Sequence, residues 1–147
     1  MKRKDFAGCI KENKLFETGL EDISMAKELL ILAEHKELFW KSISEKAKEF
    51  PSLFIEGYYE IVKELSTAIL TLDGWKSLNH ECLFAYLKEN KTHLEIDFDY
   101  LLELKDTRNA IDYRGVKVSY DIWKNNELKI NLVINALKEY IKNQLER

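Results

Sequence analysis

Pro51-Ser-Leu-Phe-Ile-Glu-Gly-Tyr-Tyr-Glu-Ile-Val-Lys-Glu-Leu-Ser-Thr-Ala-Ile-Leu-Thr-Leu-Asp-Gly74 is the stretch whose reading decides the fold. At about 100° per residue, Phe54, Tyr58, Ile61, Leu65, Ala68 and Leu72 form one stripe of a helix running from about Ser52 to Leu72. Ile55, Tyr59, Val62 and Ile69 widen that stripe beyond half the circumference. A helix this apolar packs on several sides and is therefore central. Its start is set by Pro51, which pushes the preceding residue out of the helical region and itself suits a first helical turn. Asp73-Gly74 stops it. Glu56, Tyr59, Glu60 and Lys63 crowd its first half, on a strip that faces either solvent or a site.

Upstream, Asp5 to Phe16 reads as a first helix with Phe6, Cys9 and Ile10 on one face, loosening at Thr18-Gly19. Thr18 with Glu21 reads as a capping box. It opens one long amphipathic helix through Ile23, Ala26, Leu30, Ala33, Phe39, Trp40, Ile43 and Ala47 to Phe50. Downstream, Ser77 or Asn79 caps a short fourth helix to about Lys88, with Asn90 as a left-handed stop. Thr92 with Glu95, or else Asp97, starts a fifth helix that ends at Arg114-Gly115. Val116 to Ser119 is an extended link too short for a sheet of its own. Ser119 or Asp121 then opens a turn around Trp123. Ile130, Val133, Leu137, Ile141 and Leu145 make a closing helix.

The expectation is a single domain over residues 1–147, all-α, an up-and-down bundle of five to six helices. Composition agrees. One proline and five glycines in 147 residues leave little punctuation, and 46% apolar with 33% charged residues marks a globular chain. A net charge of -3 excludes a surface that is basic throughout, so any nucleic-acid contact needs a local patch. No apolar run is long enough for a membrane span, and Met1-Lys-Arg-Lys-Asp5 is not followed by a signal-type apolar segment. A cytoplasmic protein with no membrane partner is expected. Cys9 and Cys82 lie far apart among apolar neighbours and read as small buried hydrophobes, not as a disulfide or zinc ligands. His35, His80 and His93 have no ligand spacing. Neither a metal nor a cofactor is expected.

The fifth helix carries the one irregular pattern. Leu101, Leu104, Arg108 and Ile111 share a stripe, so a guanidinium stands in line with apolar residues. Charges on such a stripe are rarely buried unless paired. Arg108 therefore either pairs with Asp112 one turn on, at the edge of the core, or belongs to a polar site at an interface. Lys105, Arg108, Arg114 and Lys117 cluster within a dozen residues, with Asn109 and Tyr113 between them. Arginine offers a planar donor fork for phosphate, asparagine an amide for base or sugar edges, and tyrosine a stacking face with a hydroxyl.

Arg108-Asn-Ala-Ile-Asp-Tyr113, followed by Arg114-Gly115 at a helix end, resembles the signature of the HEPN family (higher eukaryotes and prokaryotes nucleotide-binding domains). Phe54-Ile-Glu-Gly-Tyr-Tyr-Glu-Ile-Val-Lys-Glu-Leu65, Leu72-Asp-Gly-Trp-Lys-Ser77 and His80-Glu81 are similar to its archaeal branch. The likeness spans Ser52 to Gly115 closely and the outer helices loosely. It implies a helical bundle that homodimerises and brings two Arg motifs into one cleft. It also implies a nucleotide or RNA as ligand, with Lys105, Arg108, Asn109, Tyr113, Arg114 and Lys117 as binding residues. Other activities in the family are metal-independent ribonuclease toxins, in which Arg108, Asn109 and Tyr113 would be the catalytic candidates, and partners of a small nucleotidyltransferase. One residue departs from the ribonuclease pattern: Tyr113 stands where that branch has histidine. Near pH 7 a phenol is a far weaker general base than an imidazole, so the departure weighs for binding over cleavage.

Overall fold

The computed structural model describes residues 3–147; Met1 and Lys2, the first two residues of the N-terminal stretch read above, lie outside them. The central helix of the sequence reading is α3, Pro51–Asp73, with proline in its first turn and Gly74 in the left-handed conformation (φ 74°) closing it. The other helices are α1 (Phe6–Lys11), α2 (Ile23–Ser42), α4 (His80–Asn90), α5 (Phe98–Arg114) and α6 (Tyr120–Leu145). The chain is thus all-α in its bulk, with six α-helices among the described residues. α3 packs against α2, α4, α5 and α6. Its Ile55, Tyr59, Ile61, Val62, Leu65, Ala68 and Ile69 have no exposed surface at all.

Where the boundaries differ from the sequence reading, each difference has a local cause. The first helix ends at Lys11, not Phe16, because Asn13 takes a positive φ of 58°, which its short polar side chain tolerates. The freed Leu15–Glu17 becomes strand β1 and pairs antiparallel with β2, Trp75–Ser77, in the register Leu15–Ser77, Phe16–Lys76 and Glu17–Trp75. Three-residue strands leave no periodic trace in a sequence. Thr18 does not open a capping box. Its hydroxyl donates to the Gly74 carbonyl at 3.0 Å, and Asp22 caps α2 by accepting from the Met25 N–H at 2.9 Å. The long second helix stops at Ser42, whose hydroxyl turns back to the Phe39 carbonyl, and a 3₁₀ turn over Ser44–Lys48 follows. Asn79 caps α4, Asp97 caps α5 and Ser119 caps α6. Asn90 stays helical, with Lys91 ending α4, and Trp123 lies inside α6 rather than in a turn before it.

The cysteine reading is overturned. Cys9 and Cys82 are fully buried, as expected, but they are joined as a disulfide between α1 and α4 with a Cα separation of 5.7 Å. Sequence distance concealed the pairing: 73 residues separate the two, and only the folding of α4 back onto α1 brings them together. Closing so long a loop stabilises by about 4 kcal/mol in the chain-entropy picture. Such bonds persist in oxidising compartments and in the cytosol of hyperthermophiles. None of the helices among the described residues is long and apolar enough to cross a membrane.

α2 and α3 meet at a glycine. Trp40 lies flat on Gly57, so close that a Cβ there would come within 2.1 Å of the indole, and the same ring stacks edge-on to Phe54 at 4.9 Å. Glycine inside a helix costs about 1 kcal/mol relative to alanine, and here that cost allows a tryptophan to lie on the helix backbone. Gly57→Ala is therefore expected to destabilise the fold by about 1–3 kcal/mol despite its better helix propensity. Adding Trp40→Leu should return most of that loss relative to Trp40→Leu alone. Denaturant melts of the four proteins measure both effects.

Candidate functional site

The helix packing leaves α3 one partly exposed strip, Glu56, Glu60, Lys63, Thr67 and Thr71. α5 is laid along the first half of this strip, with Leu101 and Leu104 anchored in the core. One turn further on in α5 comes Arg108, its side chain only 18% exposed. Its Nε lies 3.0 Å from an Asp112 carboxylate oxygen, its Nη2 lies 3.5 Å from Glu60, and its Nη1 donates to the Asn109 amide oxygen at 3.2 Å. The guanidinium carbon sits 5.5 Å from the centre of the Tyr59 ring, a cation–π contact. The first sequence alternative is therefore present: the pair with Asp112 forms, and it forms inside a larger polar cluster within the chain.

Tyr59 is the hinge of that cluster. Its ring is fully buried beneath Arg108, and its hydroxyl lies 2.7 Å from His80 Nδ1 at the start of α4. Burial pushes the Tyr59 hydroxyl well above the ordinary tyrosine range, against the pull of Arg108, so it stays protonated. Burial also holds the His80 imidazole below its usual value, helped by the positive charges of Lys63, Arg108 and Lys105. His80 is consequently neutral near pH 7. With Nδ1 held by Tyr59, Nε2 is the ring nitrogen left to a ligand.

The carboxylates divide by environment. Glu60 ends below the usual range because its hydrogen bond to Lys63 (2.8 Å), with the Arg108 and Lys36 charges, outweighs its burial. Glu56 is raised by burial and by the Asp112 carboxylate beside it. Glu64, further along α3, pairs with Lys36 and leaves its second oxygen buried with no partner among the described residues.

Of the residues singled out in the sequence, the structure brings Lys105, Arg108 and Asn109 to one cluster. Tyr113 stands free on the same helix, 77% exposed. Arg114 and Lys117 are exposed around the α5 stop at Gly115 and make no ion pair among the described residues. Glu56, Tyr59, Glu60 and Lys63, noted for crowding one part of α3, form the other wall. The sequence pattern missed His80. Its position at the first turn of a helix gave a weak hint, but nothing local placed that turn beside the middle of α3. Among the described residues no group of histidine, cysteine and acidic side chains is arranged to hold a metal ion.

Beside His80 and Lys63 the strip opens into a cleft of about 540 Å³, walled by α3, β2 and the starts of α2 and α4. No protein-family model matches the chain, and neither a curated protein nor a solved structure does. The chemistry of the site rests on its own geometry.

The histidine makes a pH dependence. Above the ordinary value of about 6.5 the imidazole is neutral whether the chain is folded or not. As pH falls, the unfolded chain takes up the proton first, so His80 contributes stability at neutral pH that is lost as pH drops through its lower folded value. Denaturant melts between about pH 7 and pH 5 should show a steeper loss for the wild type than for His80→Asn, which keeps a hydrogen-bonding group for Tyr59 but does not titrate.

Proposed function

We propose that the protein is a HEPN-like homodimeric module that binds a phosphate of a nucleotide or RNA at the Arg108 cluster, with two copies of α5 facing across the site. The observation that carries this reading is the state of Arg108. The guanidinium is mostly buried, with its carbon 5.5 Å from the centre of the Tyr59 ring, and met by three protein oxygens against its five N–H donors. A fork oriented in this way keeps donors for a phosphate and loses little rotamer freedom on binding one. Asn109 steadies the fork, and Tyr113 offers an uncovered ring for a base or for the second copy. Lys105 adds charge beside the cluster; Arg114 and Lys117 supply longer-range attraction. The cytoplasmic setting expected from the sequence accords with this reading if that cytosol, like a hyperthermophile's, lets the disulfide persist.

A second reading, a metal-independent ribonuclease, is supported by one observation: the Tyr59 side chain that meets Arg108 through its ring also meets the His80 imidazole through its hydroxyl, which gives the cluster a histidine. In the tautomer that donates from Nδ1 to Tyr59, Nε2 is free to take the proton of a ribose 2′-hydroxyl as its oxygen bonds to phosphorus. The P–O5′ bond breaks and the 5′-oxygen leaves with a proton from water, while Arg108 holds the non-bridging oxygens.

Fluorescence anisotropy with single-stranded RNA across a salt series tests both readings. Arg108→Ala is expected to weaken binding about 10- to 100-fold, as the loss of a charged hydrogen-bond donor does, and to flatten the salt slope by about 0.7, one phosphate contact. Equal affinity at every salt concentration removes the site. Cleavage of the same RNA in the presence of chelator, abolished in His80→Ala, distinguishes the ribonuclease from the binding module.

A further inference from the structure

The cleft beside the Arg108 cluster has a chemistry of its own. Its floor and mouth are apolar: Leu70 and Leu83 are buried in its wall, Trp75 is half-buried, and Leu20, Met25 and Leu78 stand 78%, 47% and 55% exposed around the opening. Apolar side chains gathered around a concave opening, not scattered singly, mark a binding surface. The cleft's volume, about 540 Å³, lies in the range that takes one small molecule.

The polar side chains in it are of two kinds. Three of the four hydroxyls in the lining already donate within the chain, and Thr71 supplies the fourth. Thr18 donates to the Gly74 carbonyl at 3.0 Å, Thr67 to the Lys63 carbonyl at 2.9 Å, and Ser77 to the Asn79 carbonyl at 2.6 Å. A sugar or other polyol would meet few free partners there. The cationic side chains in the lining are Lys63 and Lys76, with the neutral His80 ring beside them. Lys76 is exposed and makes no ion pair among the described residues. Lys63 reaches the cleft from its bond to Glu60, and His80 presents the ring whose Nε2 has no partner among the described residues. Asp22, the acid in the lining, spends one oxygen on the Met25 N–H that it caps.

We propose that this cleft is a second binding site, for one small organic anion with an apolar body. Its charged head is met by Lys76, Lys63 and His80, and its body lies on Leu70, Leu83 and Trp75. The site shares Lys63 and His80 with the polar cluster but does not use Arg108, and it stands whether or not RNA binds.

The test uses anilinonaphthalene sulfonate, an aromatic anion that fluoresces when desolvated, with its uncharged relative phenylnaphthylamine. The native protein is expected to bind one sulfonate per chain and to quench Trp75 emission, a change lost in Trp75→Phe. Lys76→Glu, a surface substitution compatible with folding, should weaken the sulfonate about tenfold or more, the effect of reversing one nearby charge, and leave the uncharged relative unaffected. Arg108→Ala should change neither. Absence of binding to the native protein overturns the proposal. So does binding indifferent to both Lys76→Glu and Leu78→Ser, which would place the dye elsewhere. Equal affinity of the charged and uncharged compounds for the wild type overturns the anionic half and with it the assignment.

Discussion

A helix buried on nearly every side has one strip left for its polar residues. In α3 that strip is Glu56, Glu60, Lys63, Thr67 and Thr71, and the organisation of the rest depends on it. Charges forced onto so narrow a band are partly stripped of water and must find partners close by. They find them on two neighbours and on α3 itself: Arg108 and Asp112 on α5 meet Glu60 and Glu56, Lys36 on α2 adds its charge to Glu60, and Lys63 pairs with Glu60 along the helix. The polar site is therefore not an ornament on the bundle. It is where the bundle places the charges that its most apolar helix cannot bury.

Tyr59 connects this constraint to chemistry. An aromatic ring in the core gives a cation a face to rest on, while its hydroxyl needs a hydrogen-bond partner because it too is buried. One side chain thus orients an arginine through its ring and a histidine through its tip. The two ends of the strip differ in kind. Around Arg108 the lining is charged and dense, with acids balancing bases. Towards the hairpin it becomes an apolar hollow with lysines at its edge. A ligand of the first would be recognised by its charge and planarity, and a ligand of the second by surface area and a single charge.

The periphery is held by a different means. α1 is short and contributes Cys9 as its buried residue, too little apolar surface to dock firmly by itself. The disulfide to Cys82, the three-pair ladder with β2 and the Thr18 contact to Gly74 fix this segment over the turn between α3 and α4. The same turn forms one wall of the cleft and delivers His80 to Tyr59. On the opposite side of the bundle Glu37, buried between α2 and α6, is satisfied by Lys41 at 3.1 Å and Lys138 at 2.6 Å, so even the acid facing inward has its counter-charges.

The sequence by itself determined what depends on residues a few positions apart. The 3.6-residue period of Phe54, Tyr58, Ile61 and Leu65 and the stop at Gly74 are local, because a helix repeats its geometry within each turn. On the same ground the sequence narrows the α4 cap to Ser77 or Asn79 and offers Asp112 as one of two settings for Arg108. The crowding of Glu56, Tyr59, Glu60 and Lys63 was legible for the same reason, though not what would lie opposite. Only the tertiary structure decided that Cys9 would bond to Cys82, that Leu15–Glu17 would be a strand, and that His80 would complete a cluster begun by Arg108. Each of these joins segments far apart in the chain, where no period connects the partners and only the packing of helices around α3 sets the distance between them.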